Sequence, residues 1–314
     1  MVRGGTISTV QGVEVSRQLY EGAVAPLLDG IPHAAGRLGS GSDVLGLDDE
    51  LSRDHDWGCR LTLLVDAGHV AEVDERLERD LPADVAGRPV RFATSWKPSG
   101  HQVEVDSVVG FATSRLGVIP TDAIDWLLLT GQSVLEVIAG PVFHDDTGEL
   151  TALRGKLQWY PPDVEAYVVR SQWQRIAEEL PFIGRTRDRG DELGSRVIAH
   201  RLARDVMHLT MLLERQWSPY SKWLGTAYGG RGHALDDEAS ICAALDELAG
   251  RSVTVPFWDR PFRAVDESYL SSLPVGLPLP VGIGSVEQWC DNVKVVHRRA
   301  ALRSFYESLW EGDR

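Results

Sequence analysis

Leu19, Ala23, Leu27 and Leu28 recur at helical spacing over residues 14–29, which predicts a helix. Ile31 to Leu38 then reads as a short strand ending at a Gly-Ser turn. Arg60-Leu61-Thr62-Leu63-Leu64-Val65-Asp66 is a nearly continuous apolar run, the pattern of a buried strand. His69 to Leu81 returns to the helical period, with Val70, Val73 and Leu77 on one side. Pro89 to Trp96 and Gln102 to Phe111 predict two strands, joined by Lys97-Pro98-Ser99-Gly100, which has turn chemistry.

Beyond this point the pattern becomes helical. Helices are expected over Thr121–Ile138, with Thr121 as N-cap, and over Pro161–Leu180, Asp191–Trp217 and Ala234–Leu248. In the third of these, Ile198, Leu202, Val206, Leu209 and Leu213 form one buried stripe. Residues 251–284 are rich in Pro and Gly and predict an irregular wrap. Ser285 with Gln288 reads as a capping box opening a last helix that ends near Trp310. The expected fold class is α+β. A small mixed sheet with flanking helices fills residues 1–117, and a mainly helical domain fills 118–314.

Composition narrows the function classes. The 314 residues carry 32 basic and 46 acidic side chains, a net charge of -14. Such a chain repels polyanions, so no long nucleic acid is expected as partner, although a local basic pocket can hold a small phosphate. No apolar run approaches the length of a membrane span, and the N-terminus shows no apolar signal region, so neither a membrane nor export is expected. Cys59, Cys242 and Cys290 lie far apart with no C-x-x-C pair, which fits a reducing cytoplasm.

The candidate chemistry sits between the first two predicted strands. If the second strand begins near Arg53, Asp54 and Asp56 project from one face. Two carboxylates about 5 Å apart repel by about 3 kcal/mol at an effective dielectric near 20. A cation between them removes that penalty, and hard oxygen ligands suit Mg2+ or Mn2+. Ahead of them, Gly41-Ser42 reads as a turn, where Gly39 and Gly41 supply positive φ. Val103-Glu104-Val105 sets a carboxylate between apolar residues, with Asp106 on the same face.

Gly41-Ser42, a gap of eleven residues and Asp54-His55-Asp56 resemble the signature of the nucleotidyltransferase superfamily. The longer strings Gly41-Ser42-Asp43-Val44-Leu45-Gly46 and Ser52-Arg53-Asp54-His55-Asp56-Trp57-Gly58 are similar to an uncharacterised bacterial nucleotidyltransferase-like family. So are Arg185, Gly190-Asp191-Glu192-Leu193-Gly194-Ser195-Arg196 and Pro219-Tyr220-Ser221-Lys222-Trp223-Leu224-Gly225-Thr226-Ala227. The resemblance implies a nucleotidyltransferase-like first domain and a two-metal displacement. It calls for a third carboxylate on a neighbouring strand between apolar residues, so Asp54, Asp56 and Glu104 would be catalytic metal ligands, with Asp106 as the competitor for the third place. Gly41, Ser42, Asp43, Lys222, Arg185 and Tyr220 would bind phosphate and substrate. The implied partners are a nucleoside triphosphate and a small hydroxylated acceptor, such as a sugar or aminoglycoside-like compound. His55 stands where the superfamily is usually apolar, and Asp48, Asp49 and Glu50 add negative charge to the insert.

Two other classes fit the same residues. The carboxylates Asp48, Asp49, Glu50, Asp54, Asp56, Asp191 and Glu192, with Trp57, Tyr220 and Trp223 as sugar platforms, suit a metal-free glycoside hydrolase. A non-catalytic ligand-binding protein that keeps the fold is the third. The plain structural roles are a solvated acidic pair at 54 and 56, an edge-strand Glu104, a loop-orienting His55, and a Lys222 stem lying over aromatic surface. For Arg185, Arg187 and Arg189 the plain role is a solvated loop.

Overall fold

A computed structural model describes residues 12–49, 57–94, 99–229, 233–252, 267–290 and 292–312. Asp54, His55 and Asp56 therefore lie outside the described residues, as do Glu50, residues 95–96 of a predicted strand, 97–98 of the predicted turn and 253–266 of the predicted wrap. The chain divides into two compact units. One comprises residues 1–115 and 135–158, the other 116–134 and 159–314. The chain crosses between the units at 115/116, 134/135 and 158/159.

In the first unit the expected helix over 14–29 is three helical segments in series. Helix α1 (Gly12–Leu19) passes into a π-turn at Tyr20–Val24 and a 3-10 turn at Ala25–Leu28. Pro26 has no N–H to continue the α-ladder. Strand β1 (His33–Gly36), strand β2 (Arg60–Val65) and helix α2 (Val70–Asp80) lie where periodicity put them, but β2 begins at Arg60 and not near Arg53, since residues 57–59 are not strand. The strand expected over 89–96 is reduced to two-residue pieces. β3 (Asp84–Val85) pairs with β4 (Arg88–Pro89), and β5 (Arg91–Phe92) pairs with β6 (Gly100–Asp106). β6 stops short of Phe111 because Asp106 and Ser107 start helix α3 (Val108–Leu116). Asp106 accepts from the Ser107 N–H at 2.7 Å, and Ser107 Oγ accepts from the Gly110 N–H at 3.0 Å.

The helix expected over 121–138 is broken. Helix α4 (Ala123–Leu127) is capped by Asp122, not Thr121, since the Asp122 carboxylate accepts from the Asp125 N–H. Thr130 and Ser133 then exchange side-chain and backbone hydrogen bonds, and a new helix, α5 (Gly131–Ile138), begins. Two elements escaped the pattern: strand β7 (Val142–Asp145) and helix α6 (Glu149–Lys156). β7 completes a five-stranded sheet of order β5-β6-β2-β1-β7, with β2 and β6 parallel and the other pairs antiparallel. One face of this sheet packs Leu61, Leu63, Val65 and Val103 against Val15, Leu19 and Val24 of the helical run and Val73 and Leu77 of α2. Thr62 and Glu104, paired in register, belong to the opposite face.

The second unit is helical. Helices α7 (Pro162–Arg187), α8 (Glu192–Leu213), α9 (Ser221–Tyr228) and α10 (Glu238–Ser252) are followed by α11 (Glu267–Ser272), α12 (Val286–Trp289) and α13 (Arg299–Gly312). The stripe read on α8 is in the core. Leu202, Val206 and Leu209 are buried beside Trp173, Ile176 and Leu180 of α7, with Ile198 and Leu213 packed at the margin. α7 runs through Pro181 to Arg187 rather than ending at Leu180. The proline removes one hydrogen bond, but Leu180 and Ile183 on either side share the same core. Ser285 and Gln288 do frame a helix start, with Gln288 accepting from the Ser285 N–H at 2.8 Å. The helix they open is the four-residue α12, and α13 is separate.

Candidate functional site

β1 delivers the chain to the Gly-Ser turn, and a buried arginine holds that turn in shape. Arg37 is 3% exposed. It donates from Nε and Nη2 to the two carboxylate oxygens of Asp43 at 2.7 and 2.9 Å, and from Nη1 and Nη2 to the carbonyls of Leu38 and Ser40 at 2.7 and 2.9 Å. One guanidinium thus closes the whole loop from residue 38 to 43. Gly41 has φ +149°, and a Cβ there would stand 2.2 Å from Asp43 Oδ1 and 2.4 Å from Arg37 Nη2. No other residue fits that position without moving the ion pair. Ser42 Oγ and the Gly12 N–H both approach the Asp48 carboxylate, at 3.4 and 3.2 Å.

Two more arginines flank the same turn. Arg60 Nη2 reaches Ser40 Oγ at 3.5 Å. Arg115 lies against Gly39, where a Cβ would be 3.4 Å from its Nη2. Among the described residues the N–H groups of Ser40, Gly41 and Ser42 donate to no protein acceptor. In a chain of net charge -14, this turn gathers three guanidinium groups, Arg37 spent on Asp43 and the loop carbonyls and Arg115 on Glu104, beside backbone N–H groups that meet no acceptor among the described residues, and such N–H groups are the chemistry of an anion cradle.

Glu104 stands beside the cradle. It pairs in register with Thr62, whose hydroxyl donates to the Leu38 carbonyl at 3.4 Å. Both Glu104 oxygens accept from Arg115, at 2.5 and 2.6 Å, and Arg115 Nε lies 3.6 Å from Glu136. Asp106, the competing carboxylate, is engaged at the start of α3.

Of the expected site residues, Gly41, Ser42, Asp43 and Glu104 belong to the first unit. Asp43 faces Arg37 rather than an incoming phosphate. Asp54 and Asp56 lie outside the described residues. Arg185, Tyr220 and Lys222 belong to the second unit. Arg185 is exposed in the last helical turn of α7, not in a loop, with its guanidinium 5.8 Å from the Phe182 ring centre. Tyr220 precedes α9 and its N–H donates to Gln132 Oε1 at 3.3 Å. Lys222 is exposed with its ammonium 5.1 Å from the Trp223 ring centre, the stem-over-aromatic arrangement. Asp191, counted toward a glycosidase, caps α8 by accepting from the Gly194 N–H at 2.8 Å.

Sequence reasoning missed Arg37, Arg60 and Arg115. The one available signal was Arg37, a charge within a strand-like apolar stretch six residues ahead of Asp43. It also missed a small cavity in the second unit between Trp159, Tyr160, Trp217, His208 and Glu287. Burial, reinforced by the Glu287 charge, pushes the Tyr160 hydroxyl well above its usual pKa. The cavity measures about 10 Å³, room for one water, whereas substrate pockets need several hundred.

A family model described as a domain of unknown function, DUF4037, matches residues 126–224. The matched segment runs from α4 into α9 and leaves the Gly-Ser turn, β2 and β6 outside it. No curated protein matches the chain. Over that segment, under a third of its length, the chain is similar to a family without an assigned reaction.

Proposed function

We propose that the first unit binds the phosphates of a nucleoside triphosphate on the Gly39–Asp43 turn and transfers the nucleotidyl group to a hydroxyl of a small acceptor. The observation that carries this reading is the gathering of Arg37, Arg60 and Arg115 at one Gly-Ser turn of a strongly acidic chain, with Glu104 alongside. Such a turn binds anionic oxygens through backbone N–H groups and guanidinium forks.

Asp54, Asp56 and Glu104 would hold Mg2+, which when bound supplies charge that stabilises the attacking and leaving oxygens. Asp56 stands four residues ahead of Arg60, within a chain reach of about 14 Å of β2. The donor set suits a hard cation. Glu104 fits only in part, because Arg115 holds both of its oxygens. In this reading Arg115 passes from Glu104 to the incoming phosphate and frees the carboxylate.

The same ion pair favours one other reading, a ligand-binding protein without turnover, in which Arg115 permanently takes the place of the cation. Calorimetric titration with ATP, GTP, CTP and UTP, each with Mg2+ and with EDTA, tests the binding. Pyrophosphate release with a panel of sugars and aminoglycosides tests the transfer. We expect nucleotide binding that needs Mg2+ and is abolished by Asp56→Ala. Binding that is equal in EDTA, with no pyrophosphate from any acceptor, would decide for the second reading.

A further inference from the structure

We infer that His33, His144 and Asp146 form a binding site for a transition-metal ion of the zinc type, at the end of β1 remote from the Gly-Ser turn. One donor atom from each residue lies within 4.8 Å of the others. β-pairing creates the cluster. β7 runs antiparallel to β1, and the Asp146 N–H donates to the His33 carbonyl at 3.0 Å while the His33 N–H donates to Asp146 Oδ2 at 3.0 Å. Residues more than a hundred positions apart are thereby held side by side.

Hydrogen bonds fix the state of His33, whose Nε2 accepts from the Tyr20 hydroxyl until an ion replaces that bond. His33 Nδ1 lies 2.8 Å from the Ile31 carbonyl, which can only accept, so Nδ1 carries the hydrogen and Nε2 the lone pair. A ligating histidine commonly donates its second N–H to a carbonyl in this way. The hydroxyl of Tyr20 sits 3.0 Å from that Nε2. Tyr20 is the first residue of the π-turn, a distortion found mostly at functional positions. The two imidazoles face each other at a tilt of 32° with centres 4.6 Å apart, and His144 Nε2 lies 2.8 Å from Asp146 Oδ1.

Two imidazoles and one carboxylate are the ligand types of zinc, nickel or copper rather than magnesium. On a tetrahedral ion with 2.0–2.1 Å bonds, donors stand about 3.3 Å apart, so the cluster closes by about 1.5 Å at most, within side-chain rotation. Three protein ligands leave a fourth position, which the Tyr20 hydroxyl or a water fills. The His33 side chain is 9% exposed, whereas His144 and Asp146 are 39% and 40% exposed, so an ion enters from the side of the latter two.

The test is zinc titration of the EDTA-stripped, desalted full chain, read by competition with a chromophoric chelator. One zinc per chain is expected. His144→Ala and Asp146→Asn, both partly exposed, are each expected to weaken it at least 100-fold with unchanged circular dichroism. Should His144→Ala fail to fold, wild-type protein is treated with diethylpyrocarbonate with and without zinc, and zinc is expected to protect His33 and His144. Absence of stoichiometric zinc in the wild type overturns the inference. So does zinc binding unchanged in both variants, or carbethoxylation of both histidines at the same rate with and without zinc.

Discussion

Arg37 and Asp43 face each other through two hydrogen bonds of 2.7 and 2.9 Å beneath the Gly-Ser turn, and the guanidinium is almost wholly buried. Breaking a buried pair from one side leaves an uncompensated charge. Asp43→Ala is therefore expected to lower the unfolding free energy by about 3–5 kcal/mol, read from urea denaturation. Arg37→Lys should cost a comparable amount, because an ammonium cannot make the fork to Asp43 and also reach the Leu38 and Ser40 carbonyls.

Gly41 tests the same loop through the backbone. Its φ of +149° and the two charged atoms within 2.5 Å of a virtual Cβ make alanine doubly unfavourable. Gly41→Ala should destabilise by about 1–3 kcal/mol from backbone strain alone. Gly46 also has positive φ, but nothing lies near its Cβ, so Gly46→Ala should cost less. Equal losses in the two variants would remove the steric part of the account.

Arg115 should decide how the candidate site is used. Arg115→Met frees Glu104 and takes a cation from the turn. If nucleotide phosphate binds there, the variant should bind MgATP about tenfold or more weakly, the loss of one charge-assisted contact at 1.5–3 kcal/mol. Glu104→Gln, which in that reading leaves Asp54 and Asp56 to hold Mg2+, should weaken MgATP binding less than Arg115→Met does and lower the transfer rate. Isothermal titration beside a pyrophosphate-release assay separates the two effects.

The second unit contains an acid-sensitive clamp. Arg303 donates to Asp122 and to the buried Asp125, both at 2.8 Å. The hydrogen bond from Arg303 holds the Asp122 carboxyl below its usual pKa. A carboxylate with a lowered folded-state value stabilises the fold above its unfolded pKa and loses that contribution as pH falls through the folded one. Stability should therefore decline from about pH 4 downward, and Asp122→Asn should flatten part of that decline. Arg303→Ala, which strips Asp125 of its counter-charge, should cost about 3 kcal/mol at neutral pH.

Trp173 is fully buried where α7 meets α8 and α10. Trp173→Ala should cost about 3–5 kcal/mol through lost transfer energy and an unfilled cavity. Chemical denaturation checks this, and a loss under 1 kcal/mol would place the tryptophan outside the cooperative core.

Periodicity made legible what local packing decides. The stripe from Ile198 to Leu213 and the helix α2 each bury one face, and β2 buries both, so their patterns are set by the element alone. Side-chain capping defeated the same reasoning. Asp106 and Ser107 turn a strand into a helix, and Thr130 with Ser133 divides one helix into two. β7 was invisible because Val142-Phe143-His144-Asp145 is short and polar at its end, and only its pairing with β1 makes it a strand. At the candidate site, the Gly-Ser turn and Glu104 could be read because glycines and a carboxylate between valines mark themselves. The three arginines could not, since they come together only when β1, β2 and α3 are assembled.

The pairing of Ala34 with Asp145 also sets a timetable for synthesis. β1 leaves the ribosome early, but its outer edge stays open until more than a hundred further residues have been translated. Residues 116–134, which belong to the other unit, emerge in between. The nascent chain must therefore shield an unpaired strand edge while part of a second unit is already outside. Neither unit can be finished before the other has been started.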